Sequence, residues 1–155
     1  MYTSTQLYNC KKSPSIKCDN ETNNNKTNNK KFDGIEVGNA FITYFYSAWK
    51  TNIDVLILED IIKPYSKIKY NSILFEGNDF LLLLKTLASN GIDFTDCKYE
   101  IMDSGSRQIY ILVTGIITNS ISVCKFSQSF MISYMGENNI RDQKKWTLMN
   151  SVLIM

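Results

Sequence analysis

The stretch "RQIYILVTGIIT", Arg107 to Thr118, reads as one long β-strand that is apolar on both sides. Alternation puts Ile109, Ile111, Val113, Gly115 and Ile117 on one face, and Tyr110, Leu112, Thr114 and Ile116 on the other. Neither face has the polar character of one turned to water, so both call for a cover. Period-two runs near Thr95–Met102, Cys124–Met135 and Lys145–Ile154 flank it, separated by Gly105, Asn119 and Gly136-Glu137-Asn138-Asn139. Short connections favour antiparallel neighbours. The second half of the chain is therefore expected to be a four-stranded antiparallel sheet.

Upstream, the period changes. Val37, Phe41, Tyr44, Phe45 and Ala48 recur at spacings of three and four and predict a helix from about Ile35 to Trp49. Asn52 is placed to cap a second helix carrying Val55, Leu56, Ile61 and Ile62, with Pro64 ending it. "KIKYNSILFEG", Lys67 to Gly77, predicts a small hairpin turning at Asn71-Ser72. Asn78 is then read as the cap of "DFLLLLKTLAS", a helix whose leucine run predicts deep packing. Helices first and strands last give the α+β class: three helices on one face of a curved antiparallel sheet. Three helices cover one face only. The other face implies a partner.

The first 33 residues differ in kind. "NETNNNKTNNK", Asn20 to Lys30, holds no apolar residue to offset the entropy of ordering, so 1–33 is expected to be a disordered tail before a domain spanning 34–155. Lys11, Lys12, Lys30 and Lys31 are either solvated or a weak nuclear-import signal. Six lysines face three acids there, which leaves 11 basic and 12 acidic residues for the rest. The domain thus lacks the basic excess that gripping a nucleic-acid backbone requires, and no sequence-specific nucleic-acid binding is expected. No apolar run exceeds Phe80 to Leu84, far short of the roughly 20 residues of a membrane span. A cytosolic or nuclear protein follows by default. Cys10, Cys18, Cys97 and Cys124 contain no C-x-x-C pair, and the chain has no histidine. Neither a metal site nor a cofactor is expected, and the commonest general base is missing.

In "KFSQSFMIS", Lys125 to Ser133, Phe126, Gln128 and Phe130 share the face opposite Ser127, Ser129 and Met131. A glutamine between two phenylalanines is either a polar tool in a pocket or a hydrogen-bonded core residue. The pocket reading would join Gln128 to Tyr44 and a carboxylate such as Asp60.

The order helix, helix, hairpin, helix, four strands, with "VGNAFITYFYSAW", "YNSILFEG", "ILVTGIIT", "KFSQSF" and a final "WTLMNSVLIM", resembles the nuclear transport factor 2 domain family, over about Ile35 to Met155. The resemblance implies a cone-shaped fold that dimerises sheet against sheet, without catalysis in its nucleocytoplasmic transport branch. It would place Leu112, Thr114, Ile116, Ser127, Ser129, Met131, Val152 and Ile154 on the pairing face. It would place Tyr44, Phe75, Phe126, Gln128 and Phe130 in the core or at the cone's mouth.

Within that branch, the carrier that imports the GTPase Ran grips it with carboxylates in the loop after the Val-Thr-Gly strand. Here the loop is "TNSISV", Thr118 to Val123, which has no acid, so binding of Ran-GDP is not expected. The small subunit of the messenger-RNA export receptor needs no such acids. It pairs with a larger subunit of the same fold and helps bind Phe-Gly nucleoporins at the nuclear pore, between nucleus and cytoplasm. That role is the expected one, with a homodimeric Ran carrier and a small isomerase-like enzyme as alternatives. Family members often end in Asn-Asp-x-Phe-Arg; the matching residues here, Asn150 to Ile154, lack the arginine and make this edge more apolar.

Overall fold

The computed structural model describes residues 3–7, 33–137 and 144–155. In chain order they form β1 (Thr3–Leu7), α1 (Gly34–Thr51), α2 (Val55–Leu58), β2 (Ile62–Tyr70), β3 (Ile73–Glu76), α3 (Gly77–Leu87), β4 (Asp93–Asp103), β5 (Gln108–Thr118), β6 (Val123–Glu137) and β7 (Lys144–Ile154). The strands make one seven-stranded sheet in the order β1-β4-β5-β6-β7-β2-β3. The hairpin β2–β3 thus belongs to the main sheet. Every pairing is antiparallel except β2 with β7, which run parallel, so the sheet is antiparallel-rich and not wholly antiparallel.

Thr3–Leu7 pairs with β4 from Thr3↔Met102 to Leu7↔Lys98, and so five residues of the stretch expected to be a tail are a strand on the sheet edge. Backbone hydrogen bonds alone suffice for this, which is why apolar content did not reveal it. Asp33, the last residue of the expected tail, caps the first helix, and residues 1–2 and 8–32, with the lysine pairs, lie outside the described residues.

α1 starts where a side chain can hold its first amides. Asp33 Oδ1 accepts from Ile35 N at 3.0 Å and Glu36 N at 3.3 Å. Phe41, Phe45, Ala48 and Trp49 give it one buried face. It lies close on β4, because a Cβ at Gly38 would come within 2.8 Å of the Ile101 side chain. The expected second helix is a single turn. Asn52 ends α1 and does not begin α2, and Ile62 and Pro64 belong to β2. Pro64 is tolerated because β2 slips register against β7 between Ile62 and Lys67. Ser66 bridges the slip: its Oγ accepts from Lys63 N at 2.8 Å and donates to the Leu148 carbonyl at 2.5 Å.

The turn at Asn71-Ser72 has both residues at positive φ, the conformation of a tight type I′ hairpin. α3 begins at Gly77, one residue before the expected cap, and the Glu76 side chain at the cap position does not bond the helix's first amides. Of its apolar run only Phe80 and Leu84 are buried, while Leu82 points to water. Four consecutive leucines span all sides of a helix, and only one side meets the sheet.

β4 slips register against β5 between Thr95 and Lys98, with Asp96 at φ 52. This bulge bends the sheet around the helices. Gly115 lies across from it, where a Cβ would stand 2.9 Å from the Phe126 ring and 3.1 Å from the Thr95 carbonyl. The core fills the concave side. Phe45 and Phe130 meet edge to face with centroids 4.9 Å apart, and Tyr46 tilts against Phe94 at 4.7 Å.

Candidate functional site

Gln128 is 0% exposed, on the helix-covered face between Phe126 and Phe130. Its Oε1 accepts from the Tyr46 hydroxyl at 2.8 Å, and its Nε2 donates to Ser151 Oγ at 3.1 Å. The amide is a tie between α1, β6 and β7. Burial pushes the Tyr46 phenol well above its ordinary range, with the nearby Cys97 adding to the rise. Its ring packs against Phe45, Trp49, Phe94, Phe126 and Phe130, so rings fill the space around the amide.

Tyr44 is two residues earlier and about 200° round α1. Burial, a hydrogen bond to Glu59 and the charge of that carboxylate push its phenol up to about 12. Asp60 pairs with Lys63 at 2.6 Å. Gln128, Tyr44 and Asp60 are therefore not brought together, and the Gln128 amide bonds two neutral hydroxyls. Phe75 is half-buried on β3 and packs against the edge of the core.

The convex outer face presents the residues that alternation had left uncovered. Leu112 is 44% exposed, Val152 39% and Ile154 58%. Thr114 is exposed too, while Ile116, Ser127, Ser129 and Met131 are half-buried among their neighbours. The register makes them contiguous: Leu112↔Ser129↔Val152, Thr114↔Ser127↔Ile154 and Tyr110↔Met131↔Asn150. A shallow hollow lies over Ser129, walled by Tyr110, Leu112, Met131 and Val152. Val123, across from Thr118, and Ile121 in the adjoining loop extend the exposed apolar surface. A patch this continuous on one face is the kind that meets another protein.

Composition and period did not supply the partners of Gln128, because Tyr46 and Ser151 are 82 and 23 residues away. Val123 was within reach, since it shares the parity of Lys125 and Ser127.

The architecture is shared by solved structures of nuclear transport factor 2-like proteins, and the chain has that fold. Nuclear transport factor 2 from Cryptosporidium parvum superposes with a TM-score of 0.65 at 19% identity, covering 78% of this chain and 93% of that one. An NTF-2 like protein of unknown function from Shewanella oneidensis gives 0.59 at 11% identity, covering 78% and 98%. Yeast UBP3-associated protein BRE5 gives 0.56 at 11%, covering 79% and 95%. At such identities the likeness concerns the fold alone. No protein-family model matches the chain, and no curated protein does.

Proposed function

We propose that this protein is a non-catalytic adaptor of nucleocytoplasmic transport, working at the nuclear pore as one half of a pair of like-folded domains joined outer face to outer face. The observation that carries the reading is the uncovered apolar surface of β5, β6 and β7, at Leu112, Val152 and Ile154. The filled interior supports it, because Gln128 is spent on two internal hydrogen bonds and ringed by aromatic side chains. The resemblance to the transport branch, drawn from the motifs of β5 and β6, supplies the cellular role.

Between the two transport roles, one feature favours messenger-RNA export over Ran import. The loop joining β5 to β6 exposes Ile121, and Val123 at the start of β6 is exposed beside it, where the import carrier has carboxylates, and charge-assisted pairing with a lysine of Ran has no acceptor there. Phe-Gly nucleoporins are then the transport partners. The pairing partner is a larger receptor subunit of the same fold or a second copy.

Titration calorimetry tests this directly. A Phe-Gly repeat peptide is expected to bind, and Ran-GDP to give no complex near 1 μM, about −8 kcal/mol. A Ran-GDP complex of that strength would restore the carrier. Turnover of a small carbonyl compound, abolished by Gln128→Ala in a folded protein, would establish the enzyme instead.

A further inference from the structure

We infer that the edge of β4 facing away from β5 is a docking site for an extended strand of another protein, and that β1 is a built-in occupant which such a strand displaces. The site is separate from the outer face proposed above as a pairing surface. Without Thr3–Leu7, β4 would be the outermost strand on its side of the sheet, and it is eleven residues long. A long bare edge offers its unpaired amides and carbonyls to any extended backbone. This edge keeps its shape without β1. Tyr99 and Ile101 are buried in the core, α1 lies so close that a Cβ at Gly38 would stand 2.8 Å from Ile101, and β5 holds β4 from Asp93 to Asp103.

Elsewhere the fold closes its edges by other means. β3, at the far side of the sheet, is four residues long and runs directly into α3. On β4 itself, the stretch before Lys98 contains the slip against β5 and Asp96 at φ 52, and a bulged strand is a poor template. From Lys98 onward β4 pairs with β5 in unbroken register, and that is the stretch β1 covers, from Lys98 to Met102.

β1 matches this edge in backbone and not in charge. Thr3, Thr5 and Leu7 stand opposite Met102, Glu100 and Lys98, which are the exposed residues of this part of β4. Neither Glu100 nor Lys98 has an ion-pair partner among the described residues, and the β1 residues across from them carry no charge. A strand with a basic residue opposite Glu100 and an acidic one opposite Lys98 gains two cross-strand pairs that β1 forgoes. Because the pairing is antiparallel, the order along the incoming chain is apolar-x-basic-x-acidic, with the apolar residue against Met102. What favours β1 is attachment. Residues 8–32 join it covalently to the N-cap of α1, which gives it a local concentration that a free strand lacks. Five residues paired along one side are a weak hold, so a strand with matched charges can take their place.

Fluorescence anisotropy on the purified full chain tests this with two labelled peptides, Ile-Thr-Lys-Thr-Glu and its charge-exchanged form Ile-Thr-Glu-Thr-Lys, each flanked by Gly-Ser. Their composition is the same, so a difference between them reports register. A second chain carries Ser4→Pro and Thr5→Pro together, which removes a β1 donor whichever of the two adjacent amides points at β4, and circular dichroism confirms that it folds. The double-proline chain is expected to bind the matched peptide about tenfold or more tightly than the wild type does, and the exchanged peptide at least about threefold more weakly than the matched one. Adding Lys98→Glu and Glu100→Lys should reverse that preference. Hydrogen exchange locates the peptide, which should slow amides within Lys98–Met102 and leave those of β7 unchanged. Equal affinity for the wild-type and double-proline chains overturns the displacement, and equal affinity for the two peptides overturns the charge match. Binding to neither chain at about 1 mM peptide, or protection on β7 in place of β4, overturns the docking edge itself.

Discussion

Gln128 is worth more than its size because three elements share its amide. Replacing it with methionine keeps the volume but leaves the Tyr46 hydroxyl and Ser151 without their partner. A buried group so orphaned costs about 1–3 kcal/mol, and urea denaturation of Gln128→Met should show a loss in that range. Tyr46→Phe combined with it should cost less than the sum of the two, since they break one bond between them. The tyrosines also give an alkaline signature. Folded Tyr44 holds its proton to about 12, and burial also raises Tyr46 well above its ordinary range, whereas the unfolded chain releases its tyrosine protons near pH 10. Below pH 10 both states keep the proton and stability is unaffected by these groups. From pH 10 to about 12 the unfolded state alone ionises, so stability falls as pH rises. Absorbance titration at 295 nm should show two late tyrosines, and Tyr44→Phe should remove one of them. That Gln128 shares a face with Phe126 and Phe130 was legible from alternation alone. Its partners were not, because nothing local links β6 to a helix 82 positions earlier.

At the scale of elements, legibility followed the length of the periodic signal. α1 and the four long strands repeat their pattern often enough to be read within a few residues of their ends. "VLIL" at Val55–Leu58 does not: four apolar residues suit a helix or a strand, and a lone asparagine caps either end of a helix. β1 was invisible because an edge strand needs only backbone pairing on one side. The bulge in β4 likewise has no composition of its own, although Gly115 across from it gives it away in retrospect. That glycine provides an element-level prediction. Gly115→Val should force Phe126 and the Thr95 carbonyl apart and cost about 1–3 kcal/mol by overpacking. The same change at Gly105, where a Cβ would meet nothing within 4 Å, can strain only its own turn. Thermal denaturation compares the two: Gly115→Val should retain a folded sheet by circular dichroism yet lose its sharp near-ultraviolet aromatic bands around Phe126 and Tyr46.

The whole molecule is a sheet with one face committed and one face open. Phe130→Ala opens a cavity among α1 and the sheet and should cost about 3–5 kcal/mol, lowering the melting temperature by on the order of 10 °C. Ile154→Glu, on a side chain 58% exposed, should change the free chain by no more than about 0.5 kcal/mol. In a paired state it places a carboxylate against another protein's apolar surface and should abolish assembly. Melting curves at low and high protein concentration separate these effects, because only the second depends on concentration. If both variants melted together at every concentration, the division into faces would be wrong. The alternation along β5 also has a consequence for descent. Its odd positions answer to the fold and its even positions to whatever the sheet meets, so a lineage can exchange partners by changing every second residue of a few strands while the cone endures.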